Sequence, residues 1–538
     1  MTASTVAGLL AARADDDAVG LRCGDDRWTW REIVAVSTDR GRRLASLRRD
    51  GPFHVGALLA NSPDYLFTLF GAALAGAALV GINDTRRGAE LVRDITHTDC
   101  QLVLTDAAHA GLLDGLDLGG TPVHRVEQPF GDPSLGSPGA PTPEDLFVLI
   151  FTSGSTGSPK AVRMTHARAV QAATRSGWVG PDDVLYSAMP LFHGNALNAI
   201  VLPALGGGST IALRPKFSAS QFMPDVRRYG ATFFSTVGRA LSYVLATPAT
   251  ADDRDHRVKF ALAPESSPAD MRAFRKRFGV SCFAGYGSSE NAIIMAPVPS
   301  LPDALGTPPE GIDAAIVDPE TLVECPAARF DEDGRLLNAA EAIGELVGRN
   351  VSDRFEGYYA NPEADAARMR AGWFWSGDLG YRNEDGVFFF AGRAGDWLRV
   401  DGENFAPAPV ERVLSRLPGA RAVAVFAVPD ERTADDQVMA TIELDEGSAF
   451  DPDAFSAFLA EQPDLGTKWL PRYVRIGTIP AGATNKLDKR PLRSERWYTD
   501  DPIWWRPGRE PSYRPFTAGD LADLEARFAE HGRSMDRA

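Results

Sequence analysis

The sequence predicts a mixed fold, α/β and α+β: a large N-terminal α/β domain of several subdomains, followed by a small C-terminal α+β domain. Three observations predict it. Short apolar runs, HVGALLA, QLVLTD, LFVLIF, STIAL and ATFFST, alternate with helix-length amphipathic stretches, the pattern of layered α/β folding. Past residues 392–401 the pattern becomes AVAVFAV, QVMATIEL, a helix from about Pro452, and YVRI, a compact α+β set. The 538 residues also exceed what one hydrophobic core supports. The expected boundary places residues 1–394 in the first domain and 395–538 in the second.

Taken in order, the opening MTASTVAGLLAARADDD has no basic n-region and runs into three aspartates, which is not the form of a secretory signal, so no export is expected. The apolar stretch YLFTLFGAALAGAALVGI, residues 65–82, comes close to the length of a membrane span. Asp64 and Asn83 bracket it and Gly76 can end a helix before ALVGI, so a helix, a turn and a strand of a soluble core are expected instead. QPFGDPSLGSPGAPTPED, residues 128–145, is an exposed connector by its Pro, Gly and Ser content. In the tail, DLADLEARFAEH reads as one helix with Leu521, Leu524 and Phe528 along one side, and the aromatics of WYTDDPIWW pack onto the body.

Composition sets limits on function. With 44% hydrophobic and 24% charged residues the chain is too apolar for general disorder. A formal net charge of −16 argues against broad binding to nucleic acid or anionic lipid; no nucleic-acid partner and no transmembrane segment are expected, with room for peripheral membrane contact and for a homodimer. Cys23, Cys100, Cys282 and Cys325 are far apart without metal-ligand spacing, and read as buried free thiols in a reducing cytoplasm.

After the strand LFVLIF comes TSGSTGSPK, residues 152–160. Gly154 and Gly157 let backbone approach an anion, the hydroxyls of Thr152, Ser153, Ser155 and Thr156 can donate to phosphate oxygens, and Lys160 supplies charge. A Walker A loop is excluded, because Pro159 precedes the lysine and Ala161 stands where the magnesium-binding hydroxyl would be. A flexible Gly/Ser linker is the competing reading, and the strand before the loop and its Pro-Lys end weigh against it.

TSGSTGSPK resembles the phosphate-binding signature of the adenylate-forming superfamily, which comprises acyl-CoA synthetases, luciferases and peptide-synthetase adenylation domains. Four further segments match in order. Tyr286-Gly287-Ser288-Ser289-Glu290 is similar to the family's Tyr-Gly-x-Thr-Glu, which implies that the tyrosine stacks on adenine and that Glu290, with Thr152, binds Mg²⁺. Just upstream, Ala263-Pro264-Glu265 occupies the place where relatives present backbone to the adenine edge, in a wording that departs from their glycine-rich form. In Ser376-Gly377-Asp378-Leu379 the resemblance implies that Asp378 holds the ribose hydroxyls. Gly392-Arg393-Ala394-Gly395-Asp396-Trp397 resembles the junction between the family's large and small domains, where Arg393 also reaches the ribose and Gly395, in place of the usual acidic residue, suits a swivel. Thr484-Asn485-Lys486-Leu487-Asp488-Lys489-Arg490 resembles the segment that carries the adenylation lysine, here Lys486 with Lys489 as the fallback. The small domain is therefore expected to be mobile.

The chemistry needs no general base, since a carboxylate with a pKa near roughly 4 is already ionised when it attacks the α-phosphate of ATP. It needs relief of negative charge, which Mg²⁺ at Glu290, Lys160 and Lys486 can supply. Pro190-Leu191-Phe192-His193-Gly194 resembles the segment beside the acyl pocket; a pocket-lining and a packed core histidine fit His193 equally. ATFFSTVGRALSYVLATP, AGRAGDWLRVDGENF and YTDDPIWW look most like very-long-chain acyl-CoA synthetases of the fatty-acid-transport type. KFSASQF, DVRRYGAT, FEGYY and EQPDLG point within them to actinobacterial fatty-acid-degradation synthetases. Apolar lining such as Phe233, Phe234, Val237 and Leu241 suits a hydrophobic tail. The expected activity is an ATP-dependent acyl-CoA ligase acting on an apolar carboxylic acid, a fatty acid or a sterol side-chain acid, with coenzyme A as acceptor. A fatty-acyl-AMP ligase loading a carrier protein and a non-catalytic lipid carrier are the alternatives.

Overall fold

The computed structural model describes residues 3–538 apart from 153–159, 176, 303, 333–335, 401–402, 434, 467, 482–486, 509, 532, 534 and 536–538, and describes residues 394, 403 and 404 by their backbone. By internal packing the chain divides into two units, residues 1–294 with 351–371, and residues 295–350 with 372–538.

The first unit is α/β and holds two sheets. One runs in the order Val123–Arg125, Cys100–Thr105, His54–Leu58, Ala78–Gly81, Leu146–Phe151 and Ala161–Thr165, parallel except for its last pair. The other runs Cys282–Phe283, Phe260–Leu262, Phe233–Ser235, Val184–Ser187, Thr210–Leu213, Val19–Cys23 and Asp26–Thr29, parallel except for its last pair. Central strands such as Leu146–Phe151 are apolar along nearly their whole length because helices cover both faces of a parallel sheet.

The stretch 65–82 folds as expected. Pro63–Ala75 is a helix, Gly76 ends it at φ +69°, and Ala78–Gly81 is a buried strand; a left-handed residue at this position is where glycine is favoured. Among the described residues no helix is long and apolar enough to cross a membrane. Helix Trp30–Ser46, started by a Thr29–Glu32 capping box, lies against Pro63–Ala75. A Cβ on Gly41 would stand 2.7 Å from the carbonyl oxygen of Gly71, so the absence of a side chain sets that approach. The connector 128–145 is mostly exposed, yet it is strapped down: Cβ atoms on Gly136 and Gly139 would collide with backbone of Arg42 and Ala75.

The second unit is built on mainly antiparallel sheets, with one parallel pair, Asp436–Leu444 with Tyr473–Ile476. Ala314–Val317, Gly344–Gly348, Trp373–Arg382 and Phe388–Arg393 pair in that order. The C-terminal sheet runs Ala420–Pro429, Asp436–Leu444, Tyr473–Ile476, Ile503–Trp505 and Arg514–Pro515, with helices Pro407–Leu414, Pro452–Ala460, Lys489–Glu495 and Ala518–Glu530. The tail helix buries Leu524 and Phe528, with Leu521 partly covered, beside Trp497 and Trp505 as expected. All four cysteines are free; Cys100 and Cys282 are buried as expected, whereas Cys23, on the strand Val19–Cys23 paired to the edge strand Asp26–Thr29, and Cys325, outside the named strands and helices, are partly exposed.

Replacing Gly41 with alanine is expected to lower stability by about 1–3 kcal/mol, the cost of overpacking a close helix contact, measured as a reduced denaturation midpoint at unchanged m-value.

Candidate functional site

In open α/β sheets ligands bind outside the carboxyl ends of the parallel strands, and the sequence-selected segments of the first unit emerge there. Thr152 follows Leu146–Phe151, Pro190 to Gly194 follow Val184–Ser187, Ala263 to Glu265 follow Phe260–Leu262, and Tyr286 to Glu290 follow Cys282–Phe283. Asn61, just past His54–Leu58, joins the two sheets at these ends. Its side chain accepts from the Leu191 amide at 3.1 Å and donates to the Arg214 carbonyl at 2.7 Å. Gly81 permits the approach, since its Cβ would stand 3.0 Å from that of Phe192 and 3.1 Å from the Tyr65 hydroxyl.

The phosphate-loop candidates Ser153, Gly154, Ser155, Thr156 and Gly157 lie outside the described residues, as does Lys486. The ends of the loop are described: the Thr152 amide donates to the Lys160 carbonyl at 3.1 Å, closing its neck as the strands on either side require. Burial and the nearby Arg368 guanidinium hold the Lys160 ammonium below the usual lysine range, opposed by Glu290.

Glu290 ends the Tyr286 to Glu290 stretch with its side chain only 9% exposed. A buried carboxylate is costly unless its charge is met. The Tyr358 hydroxyl donates to Glu290 Oε1 at 2.6 Å, and Arg368 Nε donates to that hydroxyl at 3.2 Å. Burial and the Glu290 carboxylate push the Tyr358 hydroxyl above its ordinary range, so it remains a donor. Sequence reasoning missed both residues. FEGYY stood out only as a resemblance, and nothing local connects Tyr358 with a residue nearly seventy positions earlier.

The backbone makes that connection. Residues 357–359 pair along Ala161–Thr165: Arg163 donates to the Gly357 carbonyl at 3.1 Å, Tyr359 donates to that of Ala161 at 2.8 Å, and Tyr358 bridges Val162. The Glu356 carboxylate accepts from the Thr165 amide and hydroxyl at 2.7 and 2.6 Å. Gly357 sits at φ +80°, where its Cβ would meet the Asp365 carboxylate at 3.0 Å, and Asp365 accepts from the Tyr358 amide at 2.7 Å. At the far end the Tyr359 hydroxyl donates to Asp99 at 2.7 Å.

His193 precedes a short helical turn, Gly194–Ala196, that widens into a π-helical turn over Leu197–Val201, a local feature frequent at functional sites. A Cβ on Gly194 would lie 3.3 Å from Ser289 Oγ, which sets the His193 segment against the Glu290 stretch. The Asn291 side chain further contacts that of Asn198 at 3.4 Å. Around Ala263 to Glu265, the Ala263 amide donates to Phe283 at 2.8 Å and the Pro264 carbonyl accepts from Gly238 at 3.0 Å, while Glu265 is held at φ +62°. Tyr286 and Ser288 are half-buried and Gly287 exposed.

The proposed apolar lining needs correction. Phe233 and Val237 belong to the cluster containing Leu197, Ile200 and Val201, whereas Phe234 and Leu241 pack on the opposite face with Phe222 and Phe274. Neighbouring strand residues point to opposite faces of a sheet, so Phe233 and Phe234 cannot line one pocket. Trp178, which the sequence did not single out, covers Phe233 and Phe260 with ring centroids 4.5 and 5.0 Å away.

In the second unit, Asp378 and Arg393 are register partners on adjacent antiparallel strands, with Arg393 Nη1 2.5 Å from Asp378 Oδ1. Gly377 adopts φ +73° and donates to the buried Glu345 carboxylate at 2.9 Å. Asp396, beside Gly395, pairs with Arg493 at 2.5 Å. The fallback Lys489 is engaged: its Nζ lies 2.6 Å from Glu411 and 3.2 Å from the Val425 carbonyl, a clip between helix Pro407–Leu414 and the C-terminal sheet.

A family model described as AMP-binding enzyme matches residues 10–359. Steroid-22-oyl-CoA synthetase of Rhodococcus jostii (strain RHA1) is 49% identical over 98% of both chains. Medium/long-chain-fatty-acid–CoA ligase FadD17 of Mycobacterium tuberculosis (strain ATCC 25618 / H37Rv) is 42% identical over 94% of this chain and 99% of its own. Among solved structures, ATP-bound MatB from Rhodopseudomonas palustris superposes with a TM-score of 0.79 at 23% identity, covering 92% of this chain and 100% of that one.

Replacing Lys489 with alanine is expected to lower stability by about 1–3 kcal/mol, by leaving Glu411 without its cation, read by chemical denaturation.

Proposed function

The chain belongs to the AMP-binding enzyme family, and from that premise we propose that it is an ATP-dependent acyl-CoA ligase that converts an apolar carboxylic acid into an acyl-adenylate and then into its CoA thioester. The observation that carries this reading is the near-full-length likeness to two CoA ligases of apolar acids. At 49% against 42% identity, a sterol side-chain acid ranks ahead of a fatty acid as the first substrate to test.

The acid enters ionised and one carboxylate oxygen attacks the α-phosphate. The bond from that phosphorus to the bridging oxygen breaks, and pyrophosphate departs with the electrons. Two anions meet in this step, so the site's work is electrostatic. Lys160 and the loop at residues 153–159 receive the polyphosphate, Tyr286 and residues 263–265 flank adenine, and Asp378 with Arg393 hold the ribose hydroxyls. Lys486, on the segment 395–538, supplies the adenylation cation; the engagement of Lys489 with Glu411 supports that choice.

The donor set suits Mg²⁺. Among the described residues no group of three or more metal-binding His, Cys, Asp or Glu side chains occurs, and Mg²⁺ is commonly held by one or two carboxylates together with substrate phosphates. Glu290 and the Thr152 hydroxyl would hold it, and it would neutralise phosphate charge there. On the acyl side, Phe233 and Val237 share one buried apolar cluster with Leu191 and Phe192 of the His193 segment, the candidate wall for a hydrophobic tail. The four free cysteines suit a reducing cytoplasm.

The reading is tested by incubating the protein with ATP, CoA and a panel of steroid, fatty and aromatic acids. Thioester is expected with the steroid or fatty members; adenylate accumulating without thioester would transfer the acceptor role to a carrier protein. Lys486→Ala is expected to slow adenylate formation by about 10²–10³-fold, the scale of losing one charge-stabilising donor, with thermal stability unchanged. Unaltered acid-dependent exchange of pyrophosphate into ATP in that variant would remove Lys486 from the reaction.

A further inference from the structure

Tyr358 and Arg368 belong neither to the phosphate loop nor to the Tyr286 to Glu290 stretch, yet they converge on its carboxylate. Tyr358 donates to Glu290 Oε1 at 2.6 Å, Arg368 Nε donates to the same hydroxyl at 3.2 Å, and Arg368 Nη2 lies 4.0 Å from that oxygen. A hydroxyl has one proton and arginine has only donors. The chain therefore runs one way, from Arg368 through Tyr358 to Glu290, and its members polarise one another. The Tyr358 and Arg368 contacts both fall on Glu290 Oε1, so the arrangement fixes the carboxylate through one of its two oxygens.

Charge points the same way. Lys160 and Arg368 are near enough for each to act on the other, and Glu290 is the acid that answers them. Two cations gathered beside Glu290 in a partly buried place suit a polyanion. The rigidity needed to hold a long arginine there comes from the strand-like pairing of residues 357–359 with Ala161–Thr165 and from the Asp365 bond to the Tyr358 amide.

We infer that Arg368, held to Glu290 through the Tyr358 hydroxyl, is a second cation for the β- and γ-phosphates of the bound nucleotide, and that Tyr358 is the positioning residue for both. The inference rests on the ATP-dependent reading above. It assigns the leaving pyrophosphate two cations from the first unit, Lys160 on the loop and Arg368 on the segment 351–371.

The test is calorimetric binding of ATP and of AMP, each with Mg²⁺ and without acid, to the full chain as wild type, Arg368→Ala, Arg368→Lys and Tyr358→Phe. Arg368→Ala is expected to weaken ATP about tenfold, the worth of one charge-assisted hydrogen bond, and to leave AMP unchanged. Arg368→Lys should restore part of the ATP affinity. Tyr358→Phe, which removes a single oxygen, should weaken ATP by a few-fold and raise the Mg²⁺ concentration at which ATP binding saturates. Equal weakening of ATP and AMP, or no change in either, overturns the inference and leaves the ligase reading standing. A wild type that binds no ATP overturns both.

Discussion

A carboxylate that is 9% exposed must have its charge met from within the fold, and the first unit is arranged around meeting it at Glu290. The answering groups arrive on residues 351–371, a segment that packs with the first unit although the chain reaches it only after traversing part of the second. Its hold is not a side-chain contact alone. Backbone pairing with Ala161–Thr165 fixes Tyr358, the Glu356 bonds to Thr165 fix the register, and Gly357 allows the turn that Asp365 closes. Lys160, its bond to Thr152 and, through Tyr358, Glu290 thus share one strand as support.

The second constraint is the meeting of two parallel sheets at their carboxyl ends. Asn61, buried just past His54–Leu58, joins them by bonding backbone that follows two strands of the other sheet, and Gly81 lets the Phe192 segment approach. This places the turn that follows His193 against Ser289, one residue from the Glu290 carboxylate. The widened helical turn at Leu197–Val201 belongs to the same arrangement, since an extra residue in a turn redirects the side chains that follow.

Much of this was legible from residues. The apolar runs HVGALLA, LFVLIF and STIAL became His54–Leu58, Leu146–Phe151 and Thr210–Leu213, because a doubly covered strand must be apolar throughout. Gly76 marked a helix end by the left-handed conformation it adopts. The failure at Phe233 and Phe234 is equally instructive. Composition identified an apolar run, but only the strand's alternation separates a residue packed with Leu197 and Ile200 from one packed with Phe222 and Phe274. Lys489 was open as an alternative for the same reason, since a lysine's partner, Glu411, lies on another element.

By itself the sequence determined many of the strands and helices, the composition of residues 152–160 and the choice of Glu290, Asp378 and Lys160 as candidates, because periodicity, turn chemistry and ordered motifs are local properties of a chain. Only the tertiary structure decided that Tyr358 and Arg368 converge on Glu290, that Asp378 stands opposite Arg393, and which face each aromatic takes. Those facts depend on hydrogen-bond register between segments distant along the chain, and register is set by the packing of whole elements, which no short stretch of residues encodes.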